Sequence, residues 1–223
     1  MNIAALIPAY QEERHIAEVV ERTRQYLPRV LVVDDGSRDA TNALARQAGA
    51  EVLLNAMNLG KGASLFRGLT HLFATGAEAV VCLDADGQHA PEEIPRFLEL
   101  APTADLVVGN RMANSAGMPW VRLMTNRFTS RVISLLAGVA VPDTQCGFRL
   151  VSQTAWKAVT LTTRNYDFEG EMVVAMGRQG LRITAVPVST IYNDEKSSIS
   201  PVVDTIRFFR MAWRLWRTRP VKC

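Results

Sequence analysis

The sequence contains no apolar run near the roughly 20 residues that a membrane-spanning helix needs. Its first apolar stretch, residues 3–7, stops at Pro8 and lacks a charged leader, so we expect neither export nor membrane spanning. Only three cysteines occur, without paired or zinc-ligand spacing, which favours a reducing compartment. The net charge of +3 is too small for a compact nucleic-acid-binding module, so no nucleic-acid partner is expected.

The composition is that of an ordinary folded protein. Hydrophobic residues make up 48% and charged residues 21% of 223 positions, which fits one globular domain. Apolar runs of strand length alternate with segments of helical period, and this predicts an α/β fold with a largely parallel sheet covered by helices. The predicted strands are residues 3–7, 30–33, 51–54, 79–83 and 106–108, with a turn-and-strand stretch at 141–151. The predicted helices lie around residues 16–23, 39–48, 60–75, 91–100, 120–136 and 170–176.

Polar loops follow three of the predicted strands, at residues 8–12, 34–37 and 84–89. In open α/β sheets, ligands bind where parallel strands deliver their carboxyl ends into loops. The three loops are therefore expected to converge on one edge of the sheet and to form the ligand site.

Asp84 and Asp86 give the strongest chemical signal, because they directly follow the apolar run 79–83. Residues two apart in an extended segment project to the same side, so both carboxylates can hold one divalent cation and the phosphates that it bridges. Oxygen ligands alone favour Mg²⁺ or Mn²⁺ over softer metals. An ordinary polar turn after a strand is the alternative for this pattern taken alone.

The segment Asp34-Asp35-Gly36-Ser37 ends the second predicted strand in the same way. A carboxylate there can accept hydrogen bonds from a base or a ribose, although Asp-Gly-Ser is also common turn chemistry. An acidic pocket of the response-regulator type is a second alternative. It requires a phosphoacceptor aspartate after a later strand and a lysine beyond it, and neither occurs with convincing spacing.

Five motifs in register resemble glycosyltransferase family 2, and most closely its polyprenyl-phosphate (dolichyl-phosphate) mannose and glucose synthases. They are Pro-Ala-Tyr-Gln-Glu at 8–12, Val-Asp-Asp-Gly-Ser at 33–37, Gly-Lys-Gly at 60–62, Asp-Ala-Asp-Gly-Gln at 84–88 and Gly-Asn-Arg at 109–111. The resemblance runs from Ile3 to about Ser198. It implies the GT-A nucleotide-diphospho-sugar transferase fold, a Rossmann-like sheet flanked by helices, as a domain at 1–198. An amphipathic, basic C-terminal helix at 199–223 completes the expected organisation.

The same resemblance implies a role for each matching residue on the donor side. Asp86, with Asp84, is expected to hold Mg²⁺ or Mn²⁺. The residues expected to bind the nucleotide-sugar are Pro8, Tyr10, Glu12, Val33, Asp35, Lys61, Asp84, Ala85 and Gln88.

On the acceptor side, the resemblance implies that Arg111 and Arg122 contact the diphosphate or the acceptor phosphate, a task that suits a guanidinium fork. A solvated surface role is the alternative for each arginine. Asp143 begins the family's Asp-x-x-x-Gly-Phe segment, and Glu171 lies in its acidic helix start, where an acid can also simply face the helix dipole. Both are candidates for a general base. Lys196, in a segment that the family uses as a mobile basic loop, is a candidate phosphate clamp.

These expectations define an inverting transfer of a hexose from a UDP- or GDP-sugar to an acceptor, with a polyprenyl phosphate at the cytoplasmic membrane face as the leading candidate. An anionic lipid phosphate needs positioning more than deprotonation, whereas a sugar hydroxyl needs a base. A sugar nucleotidyltransferase and a catalytically silent nucleotide-sugar-binding module are the alternatives. The former usually has a glycine-rich basic loop after its first strand, and this chain has Pro-Ala-Tyr-Gln-Glu there.

The C-terminal segment 199–223 mixes large apolar and cationic residues at helical spacing. Such a helix can lie in a lipid interface with its arginines against anionic phosphates, or it can simply pack on the domain. We expect a peripheral protein on the inner face of the cell membrane. It would meet its membrane-associated acceptor through this segment or through a membrane partner subunit.

Overall fold

The computed structural model describes residues 1–114, 118, 120–163, 167–191 and 201–217, with backbone alone for residue 114 and for 201–207. Its strands are β1 (Ile3–Ala9), β2 (Val30–Asp34), β3 (Glu51–Leu54), β4 (Ala79–Cys82), β5 (Leu106–Asn110), β6 (Arg149–Ser152) and β7 (Ile183–Pro187). Its helices are α1 (Ile16–Arg24), α2 (Thr41–Gln47), α3 (Lys61–Ala74), α4 (Ile94–Leu100), α5 (Trp120–Ala137), α6 (Gln153–Ala158), α7 (Phe168–Arg178) and α8 (Pro201–Arg217). Two 3₁₀ turns, Pro91–Glu93 and Arg111–Asn114, precede α4 and α5.

One seven-stranded sheet runs through the described part of the chain, in the order β3-β2-β1-β4-β6-β5-β7. Strands β1 to β4 are mutually parallel, as are β5 and β7, and β6 alone lies antiparallel to its neighbours β4 and β5. Every residue of β2 and β4 is buried, as expected for strands covered by helices on both faces. The prediction of a largely parallel α/β sheet is confirmed.

The predicted elements are present with small shifts in their ends. In the turn-and-strand stretch 141–151, only the last residues are strand, because β6 begins at Arg149. Two elements, α6 and β7, had no sequence prediction. The six residues of α6 are too few for a helical period to stand out, and β7 is a partly exposed edge strand without clear alternation.

None of the described helices is both long and apolar enough to cross a bilayer. The hydrophobic core instead lies on the two faces of the sheet. On one of them, α3 approaches β1 so closely that a Cβ at Gly68 would lie 2.8 Å from Leu6 Cδ2. Helix α4 contributes Phe97, whose ring stacks on Phe148 with centroids 4.2 Å apart. This stack anchors the loop before β6, which borders the candidate site.

Phe97→Ala should lower the free energy of unfolding by about 3–5 kcal/mol, because it removes a fully buried ring and leaves a cavity. Urea unfolding followed by circular dichroism measures the change. Leu54→Ala, at a side chain 53% exposed on the edge strand β3, is the control and should cost less than about 0.5 kcal/mol. Equal losses in the two variants would contradict the packing of Phe97 in the core.

Candidate active site

The carboxyl ends of β2, β1 and β4 lie side by side at one edge of the sheet. Strand β1 is the central member, with Ala9 opposite Asp34 of β2 and Leu6 opposite Cys82 of β4. The loops after β1 and β2 are hydrogen-bonded to each other: the Gln11 N–H donates to Ser37 Oγ at 2.9 Å. The expected convergence of the polar loops on one edge is therefore observed.

Asp35 organises the start of α3 from this edge. It is 3% exposed, and its carboxylate accepts hydrogen bonds from Asn55 Nδ2 at 2.6 Å, the Leu59 N–H at 3.0 Å and the Gly60 N–H at 2.7 Å. Gly60 has a φ of 93°, a left-handed conformation that a side chain would disfavour. The Asp35 carboxylate is thus engaged by the protein itself, and its role toward a nucleotide stays a prediction.

Lys61, the next residue, connects this edge to the loop after β4. Its Nζ lies 2.7 Å from Asp84 Oδ1 and 3.3 Å from Glu169 Oε1. Burial lowers the pKa of Lys61, but the charges of Asp84 and Glu169 outweigh burial and hold the pKa above its ordinary value. Lys61 is therefore a permanent cation inside the site.

Asp84 is held between this ammonium and His89, whose Nε2 lies 3.6 Å from Asp84 Oδ2. Burial raises the pKa of Asp84, but Lys61 and His89 outweigh burial and hold this pKa well below its usual range. The carboxyl is therefore ionised. Gly147 lies against the same carboxylate, since a Cβ there would be 2.7 Å from Asp84 Cγ. Any larger residue at position 147 would displace Asp84.

Asp86 lies in a turn, not in the extended segment that the sequence suggested, because β4 ends at Cys82. Its Oδ1 accepts a hydrogen bond from the Gln88 N–H at 2.9 Å. Burial and the negative charge of Asp84 raise the pKa of Asp86. The premise of an extended pair was wrong, but the two carboxylates still lie close enough to interact.

A pair of repelling carboxylates fits a divalent cation, because such an ion relieves the repulsion. No group of three or more His, Cys, Asp or Glu side chains in the described ranges is arranged to hold a metal. An ion at Asp84 and Asp86 would therefore take its remaining ligands from phosphate or water, as magnesium sites commonly do. The residues present fit Mg²⁺ or Mn²⁺ on those terms.

Sequence reasoning did not select Glu169 and Arg149 as site residues. Arg149 is 1% exposed and donates to the carbonyls of Cys146, Thr144 and Glu169, and its Nη2 lies 3.8 Å from Glu169 Oε1. The four side chains thus form a chain of ion pairs in which cations and carboxylates alternate, in the order Arg149, Glu169, Lys61 and Asp84. The one available signal was Arg149 itself, which precedes the apolar pair Leu150 and Val151 in a short strand, since buried charges are retained only when paired.

Arg111 and Asp143 form a buried ion pair with each other. Arg111 Nε lies 2.8 Å from Asp143 Oδ2 and its Nη2 3.0 Å from Oδ1, and the Arg111 N–H donates to Oδ2. Asp143 is fully buried, and Arg111 is 7% exposed. The guanidinium fork that the resemblance assigned to a phosphate is therefore directed at Asp143.

Glu171 is similarly engaged within the protein. Its carboxylate accepts hydrogen bonds from the N–H and hydroxyl groups of Thr162 and Thr163, and Arg214 Nη2 of α8 lies 3.4 Å away. Burial raises the pKa of Glu171, but these hydrogen bonds and Arg214 outweigh it and leave the pKa lowered. Glu171 thus joins α7 to the 162–163 segment and to α8.

The other predicted residues take varied positions around this edge. Val33 and Ala85 are buried, Tyr10 is 42% exposed, and Arg122 lies half-buried in the first turn of α5. The carbonyl of Gln88 accepts a hydrogen bond from the Ile191 N–H at 3.0 Å. Pro8 belongs to β1, and the Glu12 N–H donates to Thr41 Oγ1 at 2.8 Å. Lys196 lies outside the described residues, in the segment that follows Ile191.

The mostly parallel sheet flanked by helices, with an acidic pair after β4 and a lysine at the start of α3 beside it, defines an α/β protein of the GT-A class. The sequence profile described as "Glycosyl transferase family 2" matches residues 4–160. The chain belongs to this family, as the five motifs predicted.

Known relatives extend the match over most of the chain. An N-acetylglucosaminyltransferase of Methanococcus voltae, named for UDP-N-acetylglucosamine and dolichyl phosphate, is 30% identical over 217 residues, covering 86% of each chain. The undecaprenyl-phosphate mannosyltransferase of Micrococcus luteus is 32% identical over 204 residues, covering 86% of this chain and 84% of its own. Among solved structures, glucosyl-3-phosphoglycerate synthase of Mycobacterium tuberculosis, in complex with Mn²⁺, UDP and phosphoglyceric acid, superposes with a TM-score of 0.73. That match covers 98% of this chain and 78% of the other at 20% identity, and it supports the GT-A fold.

Acidification should weaken Mn²⁺ binding, measured by calorimetry with UDP present. The pH at which binding is lost should be higher than for a site of carboxylates with ordinary pKa values. The reason is that Asp86 must lose its proton to bind a cation, and its pKa is raised. In Lys61→Met this loss should move to still higher pH, because the ammonium helps to lower the pKa of Asp86. Lys157→Met, at an exposed lysine of α6, is the matched control and should keep the wild-type profile. Identical profiles for both variants would contradict the electrostatic arrangement.

Proposed function

We propose that the protein is a metal-dependent, inverting glycosyltransferase that moves a hexose from a UDP- or GDP-sugar to a polyprenyl phosphate at the cytoplasmic face of a membrane. The observation that carries this proposal is the Asp84 and Asp86 pair, placed beside Lys61 at the carboxyl edge of the sheet. The relatives named for dolichyl and undecaprenyl phosphate support the acceptor class.

On the donor side, Asp84 and Asp86 would hold Mg²⁺ or Mn²⁺ together with the diphosphate of the sugar nucleotide. When bound, such an ion supplies positive charge that stabilises the leaving diphosphate. Lys61 fixes Asp84 in its ionised form and adds a second positive charge close by. The M. tuberculosis synthase of the same fold, crystallised with Mn²⁺ and UDP, supports this arrangement.

The nucleoside would lie along the loops after β1 and β2. Tyr10 follows β1 and is 42% exposed as a residue, so its ring would offer a face on which a base can stack. Pro8, Glu12, Val33 and Asp35 would shape the floor and walls of this pocket. Ala85 and Gln88 lie in the loop of the acidic pair and would contact the phosphates and the sugar.

The two candidate bases, Asp143 and Glu171, are both engaged in contacts within the protein, and this favours an acceptor that is already ionised when it binds. Asp143 is bound on both oxygens by Arg111, and Glu171 accepts hydrogen bonds from Thr162, Thr163 and Arg214 with a lowered pKa. A carboxylate so engaged is a poor proton acceptor. A lipid phosphate oxygen needs no deprotonation, only orientation and charge balance.

Arg122 and Lys196 are the side chains that we assign to the acceptor phosphate. Arg122 lies in the first turn of α5, which follows the carboxyl end of β5 at the site edge. Ile191, bonded to the carbonyl of Gln88, starts the segment that contains Lys196 close to the acidic pair. Arg111 would act indirectly, by holding Asp143 and the loop before β6.

Asp86→Ala should reduce sugar transfer by roughly a hundredfold or more, because it removes a charge that positions the ion at the leaving diphosphate. Transfer from UDP-glucose, UDP-N-acetylglucosamine and GDP-mannose to undecaprenyl phosphate, with Mn²⁺, measures it. Glu99→Ala, at an exposed acid of α4, is the control and should retain full activity.

Each other outcome of that assay identifies a different function. Undiminished transfer by Asp86→Ala would remove the metal from the mechanism. Transfer to 3-phosphoglycerate but not to the lipid would indicate a soluble acceptor. Stabilisation by a sugar nucleotide without any turnover would indicate a binding module, and release of pyrophosphate a nucleotidyltransferase.

We also propose that α8 brings the protein to the membrane. Met211 and Leu215 of α8 are buried against the domain, whereas Trp213 and Trp216 are 57% and 51% exposed. The Arg217 guanidinium lies 5.0 Å from the centroid of the Trp213 ring. Aromatic rings beside arginines suit the headgroup region of an anionic bilayer.

Trp213→Ser combined with Trp216→Ser should weaken cosedimentation with phosphatidylglycerol-containing vesicles by about tenfold or more, because each exposed ring loses its apolar contact with lipid. Thermal unfolding provides the control, since neither ring is buried and the midpoint should not change. Unaltered vesicle binding would contradict the assignment of α8 to the membrane.

A further inference from the structure

Helix α5 buries Ile133, Leu136 and Ala137 in its C-terminal half, but it also exposes several large apolar residues. Its buried stripe includes the polar side chains Asn126 and Ser130, and Ser130 Oγ bonds to Thr144. Its outer stripe instead carries Trp120, Met124, Phe128 and Leu135, which are 74%, 52%, 53% and 69% exposed. A surface helix of a soluble domain ordinarily turns its large apolar residues inward. The outer stripe of α5 therefore requires a partner.

Positive charge accompanies this stripe. Helix α5 contains three arginines and no acidic residue, and two of the arginines, Arg127 and Arg131, are exposed among the apolar side chains. Across the residues that the structure describes, no carboxylate lies within ion-pairing distance of either. The missing partner is therefore one that offers both apolar contact and negative charge.

The stripe is continuous with the exposed face of α8. The Phe128 ring lies 6.5 Å from the Phe209 ring, and Phe209 is itself 54% exposed. Beyond Phe209, α8 presents the exposed residues Arg210, Trp213, Trp216 and Arg217. Two helices thus form one surface of the same character.

We propose that the outer stripe of α5 is a second membrane-docking surface, which joins α8 to make a two-helix face that binds anionic lipid. This inference rests on the proposed function and deepens it, because α5 carries Arg122, which that function assigns to the acceptor phosphate. The binding itself does not require sugar transfer.

A second copy of this chain fits the stripe less well. In a two-fold dimer the same patch meets itself, so the exposed arginines would be brought close to their own counterparts. The centres of protein interfaces are also depleted in charge. An anionic bilayer satisfies the apolar and the cationic residues at once.

The test compares flotation of the full chain with phosphatidylcholine vesicles and with vesicles that also contain phosphatidylglycerol. Met124→Ser combined with Phe128→Ser should reduce binding to the mixed vesicles about tenfold or more, through lost apolar burial. Arg127→Gln combined with Arg131→Gln should reduce binding to the mixed vesicles and flatten its salt dependence, with no change on phosphatidylcholine alone. The control, Leu54→Ser with Met57→Ser, removes equally exposed apolar residues near the edge strand β3 and should bind as the wild type does.

Two results would overturn the proposal. One is unchanged vesicle binding by both α5 variants, which would leave α8 as the whole membrane contact. The other is a wild type that binds no vesicles and instead forms a dimer, detected by analytical ultracentrifugation, which Met124→Ser with Phe128→Ser dissociates.

Stabilisation by UDP with Mn²⁺, measured in parallel, separates the docking proposal from the proposed function. A wild type that binds vesicles but no sugar nucleotide would overturn the proposed function and leave the docking surface intact.

Discussion

The ammonium group of Lys61, set between the carboxylates of Asp84 and Glu169, is the contact on which the rest of the site depends. It joins three parts of the fold that are distant in sequence: the start of α3, the loop after β4 and the first turn of α7. Because burial penalises an unpaired charge heavily, each member of this group requires the others. Arg149 completes the balance from β6. The antiparallel strand of an otherwise mostly parallel sheet thus has a definite task, which is to bring a buried cation to Glu169.

Most of the architecture could be predicted from the sequence, because five apolar runs of strand length alternate with helical periods and their loops carry the polar motifs. The position of Asp84 and Asp86 at the strand edge followed from the same pattern. The contacts of Arg111, Asp143 and Glu171 did not, since a motif reports residue types and not the partner that each side chain meets. The site roles of Glu169 and Arg149 were not predicted for the same reason. Their importance comes from long-range pairing, which has no local signature.

The acidic residues of this edge fall into two groups. Asp35, Asp143 and Glu171 are bound by protein donors and hold loops in place. Asp84 and Asp86 interact with each other, and burial together with the negative charge of Asp84 raises the pKa of Asp86. In the proposed function, Asp84 and Asp86 would hold the ion, whereas the other three carboxylates hold segments of the protein together. This division is consistent with a reaction in which the protein supplies charge and position more than proton transfer.

Helix α8 is attached to the domain by more than its chain connection. Met211 and Leu215 are buried, Arg178 Nη2 donates to the carbonyl of Leu215 at 2.6 Å, and Arg214 reaches Glu171 of α7. A flexible tether would let the domain rotate freely relative to the surface that the tether binds, whereas a packed helix does not. Any surface that α8 meets consequently meets the whole domain in a single orientation, with the open edge of the sheet held at a constant height and tilt.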